Sequence, residues 1–100
     1  MSKKTKPTIL MDVEPEKSFW LNDGRALKNL KELEQALETM DESLWKHHVT
    51  TERNDFANWI EDVFNEKQLG ALVRKVKSPR TAAKRIAGKI EIPKFWSFLM

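Results

Sequence analysis

The side chains best suited to chemistry gather between His47 and Asp62. His47 and His48 are adjacent, and Glu52 and Asp55 follow closely. Such a set invites a metal site, but neighbouring histidines on a helix point about 100° apart and rarely share one ion, and no third ligand stands at the usual spacing. The expected roles are structural. His47 faces solvent, while His48 closes a short helix, where the C-terminal dipole favours an imidazole, and hydrogen-bonds into the turn before Asn54. Asp55, Glu61 and Asp62 are the second candidate set. Asp55 and Asp62 are seven residues apart, hence on one helix face and about 10 Å apart along its axis. That separation could bracket a substrate, yet neither a nucleophile context nor a glycine-rich phosphate loop accompanies it. Helix capping and solvation are the expected roles, and the lone Asp23-Gly24 turn is no phosphate cradle. The chain is therefore expected to be non-catalytic, with no metal and no cofactor.

Charge offers a second kind of site. The net charge is +3, and it is unevenly spread. Residues 28–73 carry five Lys/Arg against ten Asp/Glu, whereas residues 74–100 carry eight Lys/Arg against Glu91 alone. Arg74, Lys75, Lys77, Arg80, Lys84, Arg85, Lys89 and Lys94 are the candidate interaction cations. They could neutralise phosphates in salt-sensitive, sequence-tolerant binding, or form a solvated helix face that pairs with the acidic body. The apolar end, Phe95-Trp96-Ser97-Phe98-Leu99-Met100, would be adhesive if left exposed. Phe95, Trp96 and Phe98 are expected to fold back over the core, with a partner's groove or a homodimer contact as the other destinations. The remaining tryptophans, Trp20, Trp45 and Trp59, occupy hairpin or helical apolar positions and are expected in the core.

The element that must position these groups is the stretch from Asn54 to Phe64. Phe56, Trp59, Ile60, Val63 and Phe64 recur at helical spacing, with Asp55, Asn58, Glu61 and Asp62 on the other side. Asn54 is its expected N-cap. Three large aromatics on one short helix bury more apolar surface than any other segment. Upstream, Phe19 to Leu27 reads as a small hairpin around Asp23-Gly24. Asn29 with Glu32 reads as a capping box, opening a helix with Leu30, Leu33, Leu37 and Met40 inward and Lys31, Glu34 and Glu38 outward. Asp41 caps a short helix presenting Leu44, Trp45 and His48. Asn65 is expected to cap the next helix, with Leu69, Leu72, Val73 and Val76 as its stripe and Gly70 marking a close approach. Ser78-Pro79 starts the last helix, with Ala82, Ala83, Ile86 and Ile90 inward, Arg80, Lys84, Arg85 and Lys89 largely outward, and Pro93 as the stop. The core is thus expected to hold Leu33, Leu37, Trp45, His48, Phe56, Trp59, Ile60, Val63 and Phe64.

Several of these runs together resemble a family of small uncharacterised domains of archaea and bacteria. The resemblance rests on Phe19-Trp20-Leu21-Asn22-Asp23-Gly24, on Leu27 to Leu37, and on Met40, Trp45 and His48-Val49. It rests above all on Arg53-Asn54-Asp55-Phe56-Ala57-Asn58-Trp59-Ile60 with Asp62-Val63-Phe64. It runs from about Phe19 to Ile90, with Leu69-Gly70 where the family has Leu-Ala. It implies a mostly helical domain and no assigned reaction.

One hundred residues, 40% apolar and 33% charged, make one well-soluble domain. The fold class expected is mainly α: a single-core bundle of four to five short helices with a short N-terminal hairpin or turn. Residues 1–17 are expected to be a mobile basic tail, 18–92 the helical domain and 93–100 an aromatic tail; Ile9-Leu10-Met11 either docks on the core or forms an edge strand. No cysteine is present, which excludes disulfides and thiolate metal sites. No apolar run approaches a membrane span, and no signal-peptide core opens the sequence, so the cytoplasm is the expected compartment. The function expected is a small protein-interaction or scaffolding domain whose contact surface is the basic last helix and the apolar tail, Phe95, Trp96 and Phe98 included, with a nucleic-acid-associated accessory protein using residues 74–94 as the alternative.

Overall fold

The computed structural model describes residues 11–90. It begins with one 3₁₀ turn at Pro15–Lys17 and a two-stranded antiparallel hairpin, β1 (Phe19–Trp20) and β2 (Ala26–Leu27). Five helices follow: α1 (Leu30–Glu38), α2 (Glu42–His48), α3 (Asp55–Phe64), α4 (Lys67–Lys75) and α5 (Pro79–Ile90). The mainly helical class and the N-terminal hairpin read from the sequence are both present. α1 packs against α5, α3 against α4, and α4 against α5, so α4 and α5 form a helical hairpin along one side.

The helix starts follow from local hydrogen bonding. Asn29 Oδ1 accepts from the Glu32 N–H at 2.7 Å, and Glu32 Oε1 accepts from the Lys28 N–H at 2.8 Å. Asp41 and Asn54 accept from the N–H groups of Leu44 and Ala57, and Ser78 Oγ accepts from the Thr81 N–H. Each such cap stabilises its helix by about 1 kcal/mol. Asn65 departs from its expected role. It lies in the left-handed region at φ 60° and closes α3, its N–H donating to Glu61 O while Glu66 N–H donates to Ile60 O. Asparagine tolerates that conformation where most side chains do not, so it ends one helix rather than capping the next.

The core gathers one face of every element. Phe56, Ile60, Leu30, Leu33, Leu37 and Val73 are fully buried, joined by Trp45, Trp59, Phe64, Leu69 and Ile86. Phe56 stacks with Phe19 at 5.1 Å and with Trp45 at 5.6 Å between ring centroids. Phe19 also meets the edge of Trp59, which meets Phe64. Val63, expected inside, is half-buried at the rim.

Four expectations are corrected. Trp20 is 65% exposed rather than core, because strand side chains alternate and its neighbour Phe19 takes the inward position. Leu72 is 44% exposed, since α4 turns its Leu69–Gly70–Val73 face inward instead. Glu34 is buried rather than outward, being four residues on from Leu30 and so on the buried stripe. Its burial pushes the carboxyl above its ordinary range, with Glu38 beside it adding to the effect. Lastly, the packed part of the chain begins before residue 18. Val13 is buried and its N–H donates to Lys28 O, and Lys17 O accepts from Trp59 Nε1–H at 2.8 Å. Gly70 does mark a close approach: a Cβ there would overlap the Glu61 side chain. Ile9, Leu10 and residues 91–100 lie outside the described residues.

Trp59→Ala is expected to lower unfolding stability by about 3–5 kcal/mol. Trp59→Phe, which keeps an aromatic ring but not the bond to Lys17, is expected to lower it by about 1–2 kcal/mol. Urea titration followed by circular dichroism measures both, and a loss below about 1 kcal/mol for Trp59→Ala would place the indole outside the cooperative core.

Candidate functional site

His48 sits at the end of α2, buried among Phe19, Phe56 and His47. Its Nε2 accepts from the Asn22 backbone N–H at 3.1 Å, and its Nδ1 lies 3.0 Å from Asp55 Oδ2. With Nε2 accepting, the proton belongs on Nδ1, which donates to the carboxylate. Both nitrogens are thus used to hold the hairpin turn and the first residue of α3 to the end of α2. The expected bond into the turn before Asn54 is corrected: the partners are Asp55, just beyond that turn, and Asn22 of the distant hairpin. His47 is exposed, as expected. Asp55 is further engaged by Arg53 Nε at 3.1 Å, and Arg53 Nη2 donates to His47 O. This closes the tight Thr50–Arg53 turn between α2 and α3. Asp55 is therefore a structural anchor, and neither it nor Asp62 lines the cleft described below. Among the described residues, no three His, Cys, Asp or Glu side chains converge on one point suited to a metal ion.

The cations fall into two groups. Three are tied to the globule. Arg74 reaches from α4 to α3, donating to Glu61 Oε1 at 2.8 Å and to Asn58 Oδ1 at 2.8 Å. The hydrogen bonds from Arg74 hold the Glu61 carboxyl below its ordinary value of 4.5, and Glu61 in turn raises the Arg74 guanidinium. Arg80 Nη1 donates to Met40 O at 2.9 Å and Leu37 O at 3.3 Å, bracing the turn at the end of α1. Lys89 lies 3.7 Å from Glu66. The others, Lys75, Lys77, Lys84 and Arg85, are exposed, and no hydrogen bond or ion pair engages them among the described residues. From residue 67 to residue 90 the chain contains no Asp or Glu at all, so every charged side chain exposed on the α4–α5 hairpin is a cation. Lys94, Phe95, Trp96 and Phe98, the rest of the expected surface, lie outside the described residues.

One open cleft of about 1000 Å³ adjoins this surface, between α2 and the α4–α5 turn. Lys46, Thr50 and Thr51 form one wall, and Arg74, Lys77 and Arg80 the other. Sequence reasoning missed this cleft. Lys46 and Thr51 carry no local signal, and only the tertiary meeting of the two turns makes them neighbours of Lys77. Comparisons with known protein families, with characterised proteins and with solved structures find no match for this chain.

Because Arg74 depresses the Glu61 pKa, the pair contributes stability that is complete above pH 4.5 and lost as pH falls through the lowered folded value. Arg74→Met is expected to be less stable than the parent at pH 7. The gap is expected to narrow as pH falls from 4.5 through that lowered value, because the variant lacks the proton-linked loss. Urea unfolding at stepped pH measures this, and parallel pH profiles would show that the pair is not coupled to folding.

Proposed function

We propose that this chain is a non-catalytic interaction domain that docks an acidic protein partner on the α4–α5 hairpin. The observation that carries the reading is the outer side of that hairpin. Lys75, Lys77, Lys84 and Arg85 stand exposed there without partners among the described residues, in a stretch free of carboxylates. A solvated face balancing the acidic body would be laced with ion pairs, yet the body's acids engage Arg74 and Lys89 and leave these four uncompensated. Exposed like charges repel one another, and an anionic partner relieves that repulsion. His48 and Asp55, the best candidates for chemistry, are occupied in holding turns together. The cytoplasm is the compartment proposed, on the absence of cysteine; among the described residues no helix is long and apolar enough to cross a membrane.

Nucleic acid is the second reading, favoured by the same four free cations and by Lys3, Lys4 and Lys6 in the N-terminal sequence. Against it stands the balance of residues 11–90, where fourteen Lys/Arg meet fourteen Asp/Glu. A long polyphosphate leaving the cationic side meets repulsion from the acidic remainder, whereas a protein partner can confine its acids to the contact.

Fluorescence anisotropy against poly-L-glutamate and against mixed single-stranded RNA, at low and moderate salt, separates the two. The acidic polypeptide is expected to bind, and the Lys75→Glu/Lys77→Glu/Lys84→Glu/Arg85→Glu variant is expected to lose at least about tenfold in affinity. Binding to RNA alone, weakening steeply with salt, would assign the face to nucleic acid. No binding of either at low salt would remove the proposal.

A further inference from the structure

The cleft between α2 and the α4–α5 turn combines features that the open cationic face lacks. Its floor is apolar: Val49 and Val76 are half-buried, and Met40, Trp45 and Pro79 complete it. Its rim carries Arg74, Lys77 and Arg80, together with Lys46 of α2, which pairs with Glu42 at 3.0 Å. Two of these cations are already fixed in place. Arg80 is anchored through Nη1 to the Leu37 and Met40 carbonyls, and Arg74 through Nε and Nη2 to Glu61 and Asn58. Each guanidinium has five N–H donors in a rigid fork, so each keeps donors beyond those used internally. Binding to an already ordered arginine avoids much of the side-chain entropy that a free one would lose.

We infer that this cleft seats an acidic polypeptide segment of a protein partner, one that sets an apolar side chain between carboxylates. The inference rests on the proposed docking of an acidic protein and goes further, in locating its anchor and naming its sequence chemistry. Carboxylates on the segment meet Arg74, Lys77 and Arg80, while the apolar side chain covers Val49 and Val76. Asp41 and Glu42 line the same cleft and disfavour a continuous polyphosphate. A peptide places its charges discretely and can keep them away from that wall. The cleft is also far larger than a single inorganic anion requires, and its floor is apolar. Thr50, Thr51 and Ser78 supply hydroxyls for the segment's backbone.

The test uses the full chain and two synthetic peptides of equal length, one of glutamate alone and one alternating glutamate with leucine. Affinities come from anisotropy, and contact positions from amide and indole chemical shifts. The alternating peptide is expected to bind at least about tenfold tighter, moving the Val49, Thr50, Val76 and Lys77 amides and the Trp45 indole. Thr51→Trp, at an exposed position lining the cleft, is expected to remove that advantage by crowding the space the apolar side chain would occupy. If the two peptides bind equally well, or the shifts stay on Lys84 and Arg85, the cleft assignment falls although acidic docking stands. If neither binds, both fall. Displacement of the alternating peptide by poly-uridylate or by inorganic phosphate would assign the cleft to phosphate. The same shifts produced by a peptide of residues 91–100, or by concentrating the protein alone, would give it to this chain itself. Either result overturns the inference.

Discussion

Phe56 is the constraint on which the rest of the molecule depends. Its ring has no solvent exposure and stacks with Phe19 of the hairpin and Trp45 of α2, while His48 tilts against it at 5.2 Å. A rigid side chain wedged against two other elements cannot move without disturbing both. Asn54, two residues before it, ties the start of α3 to Val73 O near the end of α4 as well as capping its own helix. The N-terminal turn of α3 is thus where hairpin, α2 and α4 are brought into one register. The role of His48 follows from this position. Packed against Phe19 and Phe56 and already using both nitrogens, it has no lone pair or proton left to offer a substrate.

The charge distribution is a second consequence of the same packing. Setting α3 against α4 brings Glu61 beside Arg74, and setting α1 against α5 brings the end of α1 under Arg80. These pairings use acids and carbonyls of the early part of the chain to fix cations of the later part. They do not extend to Lys75, Lys77, Lys84 and Arg85, which lie away from the two interfaces. The basic end is therefore divided into cations that brace the fold and cations that face outward. Exposed ion pairs of this kind contribute little stability individually, and the structural consequence of Arg74 and Arg80 is positional: they border the cleft in fixed orientations.

Much of the architecture was legible in the sequence, for reasons that are local. The Asn29, Asp41, Asn54 and Ser78 starts could be read because a capping side chain acts within three residues of itself. The stripe of α3 could be read because five large apolar residues follow one period. Trp20 and Leu72 were misplaced because size and hydrophobicity do not say which side of a two-residue strand, or which margin of an apolar stripe, meets the rest of the protein. Glu34 was misplaced because its charge argued for solvent, although its position four residues after Leu30 puts it on the buried stripe. Asn65 was ambiguous in principle, since asparagine serves both at N-caps and in the left-handed turn that ends a helix. At the candidate site the cations were legible as a list. Their division into braced and free was not, because the partners are thirteen to forty-three residues away.

The central claim is that α3, seated through Phe56 and Trp59, opens only when the whole domain unfolds. Native-state hydrogen exchange of the Trp59 indole N–H and of the α3 amides tests it most directly. Those protons are predicted to exchange with the free energy of global unfolding and with its full denaturant dependence. Exchange through a smaller opening that leaves α1 and α5 protected would contradict the account, placing the organising core elsewhere.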